Sequence, residues 1–202
     1  MLRQTLATAG LLASLAVPAL AAPDTYTVDK QHTEAAFQVR HILTKVRGTF
    51  RDVDGTITWD KANPAKSSVE FRLKTVSVDT GVAQRDNHLR SQDFFWAEKY
   101  PEIAFVSTKV VAKSKDQFEV TGNLTIRGVT KQITLPVSYL GEQKDPWGNT
   151  KAGFETGITI TRQDFGLVWN KAIETGGFLV GDEVQIAVNL EAAKDVAPVP
   201  TN

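Results

Sequence analysis

The feature that most constrains this chain is a period-two sorting of its side chains, renewed along most of its length. Val69, Phe71 and Leu73 alternate with Glu70, Arg72 and Lys74. Phe118, Val120, Gly122, Leu124 and Ile126 alternate with Glu119, Thr121, Asn123, Thr125 and Arg127. Val129, Ile133, Leu135, Val137 and Tyr139 share a face that Lys131 interrupts. Phe154, Ile158 and Ile160 oppose Glu155, Thr159 and Thr161, and Val184, Ile186, Val188 and Leu190 oppose Glu183, Gln185 and Asn189. Successive strand residues point to opposite sides of a sheet, so each segment has one dry and one wet face. Strands buried on both faces would be apolar throughout, so the pattern is antiparallel.

Turn chemistry punctuates these runs. Asp54-Gly55, between Thr49-Phe50 and Thr56–Trp59, reads as a type I′ hairpin, and Arg127-Gly128 as a second tight hairpin. Asp145-Pro146-Trp147-Gly148-Asn149 is a longer turn, and Asn63-Pro64-Ala65 a loop before Val69. One stretch, Val82 to Tyr100, does not alternate. It predicts one or two short helices, the first capped by Asp79 or Thr80, the second by Asp93, and Pro101 ends it. No linker and no repeat of fixed period divides the body, which favours one domain. Long consecutive hairpins at 103–111, 118–126, 129–140 and 152–161 suit an up-and-down barrel better than a sandwich. The expectation is an all-β fold, an antiparallel β-barrel of about eight strands with a short helical insert, wide enough inside for one small ligand.

The first residues read as an address. Arg3 precedes an uncharged run from Ala9 to Ala22 that ends in Ala19-Leu20-Ala21, a small-residue cleavage pattern. The run is short for a spanning helix, and Pro18 interrupts it. Residues 1–21 are expected to be a signal peptide, cleaved after Ala21 or Ala22, which sends the chain to the periplasm. The barrel domain is expected over 22–192, with a disordered tail over 193–202.

Composition then narrows the function classes. Lys+Arg and Asp+Glu both number 23, a balance that excludes a basic nucleic-acid binder. Without cysteine the chain has no disulfide, thiolate metal site or cysteine nucleophile, so its stability must come from a core. His32, His41 and His88 lack metal-pair spacing, and no cofactor or metal is expected. Asp86, His88 and Ser91 are too crowded along one helical turn for a nucleophilic relay, and no G-x-S-x-G elbow is present. Asp52-Val53-Asp54-Gly55 starts like a calcium loop but has no distal Glu at the right spacing.

Five segments, in order, resemble the YceI-like family of bacterial secreted polyisoprenoid-binding proteins. They are Tyr26-Thr27-Val28-Asp29 with His32-Thr33-Glu34 and Phe37; Asp86–Ser91 with Asp93-Phe94-Phe95 and Tyr100-Pro101; Gly122–Thr130; Arg162-Gln163-Asp164-Phe165-Gly166; and Val180-Gly181-Asp182-Glu183-Val184. The resemblance runs from Tyr26 to about Leu190, and Trp96 departs from it where an acidic residue is commoner. It implies an extended, lipocalin-like barrel with a long apolar cavity for an isoprenoid, quinone-like or fatty chain, and it implies no catalytic residues.

The dry faces supply the candidate wall: Phe37, Val39, Phe71, Leu73, Phe105, Phe118, Val120, Leu124, Ile133, Leu135, Val137, Phe154, Ile158, Phe165, Phe178, Ile186 and Val188. Inward alternation builds a solid core as readily as a cavity; the resemblance favours the cavity. Candidate mouth residues, which would meet a polar head group, are His41, Arg51, Trp147, Trp169 and Asn170. Each buried CH₂ is worth ~0.8 kcal/mol, so a five-carbon unit contributes roughly 3–4 kcal/mol. The expected function is therefore a non-enzymatic periplasmic carrier of a polyisoprenoid or quinone-like lipid, with transient membrane contact and a possible homodimer. The alternatives are an enzyme acting on a bound lipid and a solid-core stress-related module.

Overall fold

The computed structural model describes residues 22–174 and 176–196. The expected signal peptide and residues 197–202 of the expected tail lie outside the described residues. Eleven strands form one antiparallel sheet: β1 Asp24–Val28, β2 Glu34–His41, β3 Thr44–Phe50, β4 Val53–Trp59, β5 Ser68–Lys74, β6 Val78–Asp79, β7 Glu102–Ala112, β8 Gln117–Ile126, β9 Val129–Lys144, β10 Thr150–Thr161 and β11 Val180–Lys194. Among the described residues there is one α-helix, α1, over Ala83–Arg90.

Three positions around the barrel are filled by broken strands. β1 continues into β2, β3 into β4 and β5 into β6 across short irregular joints, so the eleven strands close as an eight-stranded barrel. The two edges of β11 make the closure. One edge pairs with β10 from Lys151↔Ala193 to Thr161↔Glu183. The other is shared, with Val184–Asn189 on β2 and Ala192–Lys194 on β1. The joint between β1 and β2 absorbs the register change. There the Asp29 N–H donates to Glu191 O at 2.8 Å, and the Glu191 N–H donates to Thr33 Oγ1 at 3.3 Å. The Asp29 carboxylate takes the Lys151 ammonium, with both side chains mostly buried. That bond holds Asp29 well below the usual carboxylate range, against the opposing effect of burial.

Several sequence expectations need correction. Asp54-Gly55 does not form a hairpin, because it lies inside β4. Glycine is there because backbone approaches closely: a Cβ on Gly55 would stand 2.6 Å from Glu70 O. The hairpin is instead Ile42-Leu43, between the paired His41 and Thr44. No second helix follows α1. Its N-cap is Val82 rather than Asp79 or Thr80, and residues after Arg90 turn through Trp96 at φ 50°. The tail begins later than expected, because Ala193 and Lys194 belong to β11 and the Asp195 N–H donates to Thr25 O.

The Arg127-Gly128 hairpin is present, with φ 51° and 74° at its two loop residues. Both values are positive, as a type I′ turn demands. Arg127 is held in that unfavourable region by its guanidinium, which donates to Gly166 O at 2.5 Å and Gln92 O at 2.8 Å. A Cβ on Gly128 would also meet the Tyr100 ring at 2.5 Å, whereas one on Gly81, at φ 78°, would meet nothing. Gly81→Ala should therefore cost only the backbone term, about 1–2 kcal/mol, and Gly128→Ala should cost more. Urea unfolding of the two variants checks the order; equal costs would contradict it.

Candidate ligand cavity

The barrel is hollow. A cavity of about 250 Å³ runs inside it, with an almost wholly apolar wall. Every expected wall residue borders it except Phe178: Phe37 and Val39 on β2, Phe71 and Leu73 on β5, Phe105 on β7, Phe118, Val120 and Leu124 on β8, Ile133, Leu135 and Val137 on β9, Phe154 and Ile158 on β10, Phe165 after β10, and Ile186 and Val188 on β11. Phe178 precedes β11, outside the alternating run, and is 66% exposed. Residues 133, 135, 137, 158, 160, 184, 186 and 188 all point inward, yet all are only half-buried. In a solid core they would touch across the middle and lose their exposure. The solid-core alternative does not describe this barrel.

Aromatic and aliphatic side chains line both ends. At the floor Trp59 packs edge-on against Phe118 at 4.9 Å and Phe154 at 5.7 Å, with Tyr139 at 5.2 Å. At the roof the helical insert contributes Leu89, Phe94 and Phe95, and the segment after β10 contributes Phe165 and Leu167. Sequence reading missed most of the roof and Trp59. The insert has no alternation to mark it, and only the Phe94-Phe95 pair signals burial. Ile57 and Trp59 do carry the period-two signal, on β4.

Arg162 is the clasp of the roof and is itself almost fully buried. Its guanidinium donates to the carbonyls of Gly181 at 2.9 Å and Trp169 at 2.9 Å, and to Asp182 Oδ1 at 3.2 Å. Two of the marked sequence segments thus meet here. Arg162 borders the cavity, and its guanidinium hydrogens are spent on the protein.

One seam in the wall lacks backbone stitching. The β9–β10 ladder ends at Val137↔Thr156. Beyond it, 129–136 of β9 pair only with β8, and 157–161 of β10 only with β11. The Tyr139 N–H donates to Asp116, toward β8, so by two-residue alternation the missing amide of Pro136 lies on the β10 side. Ile133 and Leu135 form one lip of this seam and Ile158 and Ile160 the other, all in the cavity wall. Thr156 Oγ1 donating to Pro136 O at 2.7 Å closes one end, and the Lys131–Asp164 ion pair at 3.4 Å the other.

The five expected mouth residues do not gather at one opening, and none borders the cavity. His41 ends β2 opposite Val180. Arg51 is exposed and paired with Asp79 at 3.0 Å. Trp147 is 84% exposed on the β9–β10 turn. Trp169 packs on Phe94 at 5.1 Å and His88 at 4.8 Å. Asn170 clamps the Val180 peptide, Nδ2 donating to its oxygen at 2.8 Å and Oδ1 accepting its N–H at 3.0 Å. Arg51, Trp169 and Asn170 serve the rim's own structure.

Other polar groups are likewise taken. Asp86 accepts from the Thr80 amide and hydroxyl, His88 Nε2 faces Asp93, and Ser91 Oγ donates to the His88 carbonyl, so the three build no relay. Asp29, His32 and Glu191 lie within ligand distance of one another, but the Lys151 ammonium already neutralises Asp29 and reaches Glu191 at 3.4 Å. Below the floor, the Tyr26 hydroxyl donates to Glu142. Burial and then Glu142 raise Tyr26 far above the ordinary phenol range, and the same causes push Tyr139 up to about 12.

Two measurements follow from this geometry. Leu135→Ala and Ile186→Ala enlarge a void that already exists, so each should cost less than ~2 kcal/mol, against ~3–5 kcal/mol for Phe165→Ala at the packed roof. Chemical denaturation decides; equal costs would mean a filled core. The raised phenols give the second. Unfolded tyrosine ionises near pH 10 and these two resist, so stability falls as pH climbs from about 10 to 12. Phenolate absorbance should rise for Tyr26 and Tyr139 only with unfolding. Complete ionisation of all three tyrosines in folded protein at pH 11 would contradict the assignment.

The family model of the YceI-like domain matches residues 26–192. A UPF0312 protein of Azotobacter vinelandii is 42% identical over 170 residues, covering 83% of this chain and 88% of the relative. Among solved structures, Burkholderia cenocepacia BcnA superposes with a TM-score of 0.72 at 25% identity, covering 81% of this chain and 98% of that one. A polyisoprenoid binding domain from Saccharophagus degradans, implicated in plant cell wall breakdown, has a TM-score of 0.63 at 16% identity, covering 84% and 98%; that likeness is one of fold.

Proposed function

We propose that this chain, which belongs to the YceI-like family, is a periplasmic binding protein that carries a long apolar lipid inside its barrel. The ligand class is an isoprenoid, quinone-like or fatty chain. One observation carries the reading: the barrel encloses an apolar cavity whose inward side chains are left half-buried. An apolar chain would cover them, and the area removed from water supplies the binding free energy. Two or three isoprene units at roughly 3–4 kcal/mol each exceed the ordering cost of one flexible chain. The fold shared with a polyisoprenoid binding domain supports the same ligand class. The leader sequence supports the compartment, since a carrier there can move a water-insoluble chain between membranes. The β9–β10 seam is the proposed way in, because opening it breaks one ion pair and one hydroxyl hydrogen bond rather than a strand ladder.

Native mass spectrometry of protein purified from its own host tests this. The expected spectrum carries a second species heavier by the mass of one prenyl or acyl lipid. Ile186→Trp together with Leu135→Trp should fill the cavity, keep the fold and abolish that species. Repeated absence of any co-purifying lipid, with no uptake of added prenyl lipids, would overturn the proposal.

A further inference from the structure

The rim of the barrel carries a feature that neither the cavity nor the fold accounts for. The β2–β3 hairpin turns through two residues, Ile42 and Leu43. Ile42 holds φ 48°, a region that hairpins of this kind give to glycine and that a β-branched residue adopts only under strain. The same two residues are displayed to solvent, Ile42 at 44% and Leu43 at 85% exposure. Only the first loop residue has positive φ, so a Gly-Ser pair would make the turn without strain and without exposed carbon. The adjoining segment adds a third apolar side chain. The Ile42 N–H donates to Leu179 O at 3.0 Å, which sets Phe178 beside the tip, itself 66% exposed.

Cations flank the tip. Arg40, Lys45 and Arg47 lie on the two strands of the hairpin, which has no acidic residue between Gln38 and Arg47. Each donates only to neutral acceptors: Arg40 to Leu43 O at 2.8 Å, Lys45 to Gln185 Oε1 at 3.2 Å, Arg47 to Gln38 Oε1 at 2.9 Å. Among the described residues, none of the three has a carboxylate partner within 4.0 Å. The nearby Asp182 is taken by Arg162.

We infer that the β2–β3 hairpin tip, with Phe178 beside it, docks on an anionic lipid membrane. Ile42, Leu43 and Phe178 enter the boundary between head groups and acyl chains, and Arg40, Lys45 and Arg47 meet lipid phosphates. Apolar side chains ringed by unpaired cations match that interface in both chemistry and sign. The strain at Ile42 persists because the exposed pair has this use. The surface lies outside the cavity, so the inference stands whether or not the cavity holds lipid.

Co-sedimentation of the protein with vesicles tests it. Binding is expected to vesicles of phosphatidylcholine with phosphatidylglycerol, and to fall about tenfold on pure phosphatidylcholine or in high salt. Leu43→Ser with Phe178→Ser should weaken binding by about tenfold at unchanged melting temperature. Arg40→Gln, Lys45→Gln and Arg47→Gln together should remove the preference for phosphatidylglycerol. Ile42→Gly separates strain from use: it should melt at or above wild type and still bind vesicles less well. Wild-type protein that does not bind these vesicles, or a Leu43 and Phe178 double variant that binds as wild type does, overturns the inference. Self-association that disappears in that double variant would assign the tip to a second copy of the chain, and overturns it too.

Discussion

Everything in this structure depends on how β11 closes the sheet. Its fifteen residues pair along one edge with β10, while β1 and β2 divide the other. The partner on that edge changes register between β1 and β2, and the chain breaks at 29–33 between them. The break is costly in itself, since it frees backbone groups. Thr33 Oγ1 donates to the Glu191 carbonyl and accepts the Glu191 N–H, and Asp29 Oδ1 accepts the Gln31 N–H, so these groups are answered locally. Closure leaves no strand edge along this side of the barrel, and it sets the circumference that the inward side chains must fill.

They do not fill it. Inward positions on β9, β10 and β11 carry Val, Ile and Leu, while Phe and Trp gather toward the two ends. Branched aliphatic side chains of moderate reach leave the centre open, and aromatic clusters line the ends. A chain without cysteine holds such a void open through its ends and joints, where Tyr26, Val53, Val78 and Phe165 are fully buried. The hollow middle and the rigid ends are two consequences of one distribution of side-chain volume.

Much of this was legible in the sequence because period two is a local property. Strands β7 to β11, the Arg127-Gly128 hairpin and the inward residues follow from alternation and turn chemistry alone. The failures share one cause, which is tertiary override of a local signal. Asp54-Gly55 has hairpin chemistry, but Gly55 answers a close backbone approach from β5. Ile42-Leu43 has no hairpin chemistry at all and still turns. Leu89, Phe94 and Phe95 form a roof because the barrel needs one, and no periodicity marks them. Trp147, exposed on its turn, shows that an aromatic residue in a loop need not approach an opening. The residues proposed for the mouth lie apart: Arg51 is taken by Asp79 and Asn170 by the Val180 peptide, while Trp169 packs on Phe94 and His88.

Cavity, seam and rim describe a single physical design, a container whose interior offers carbon. The most direct test of the central claim, that the hollow receives an apolar chain, is a crystal structure of the lipid-loaded protein. The account predicts continuous ligand density inside the barrel, from Trp59 at the floor to Phe94 and Phe95 at the roof, in contact with Leu135 and Ile186. Density confined to the outer surface, or a barrel whose interior is filled by its own side chains, would contradict it.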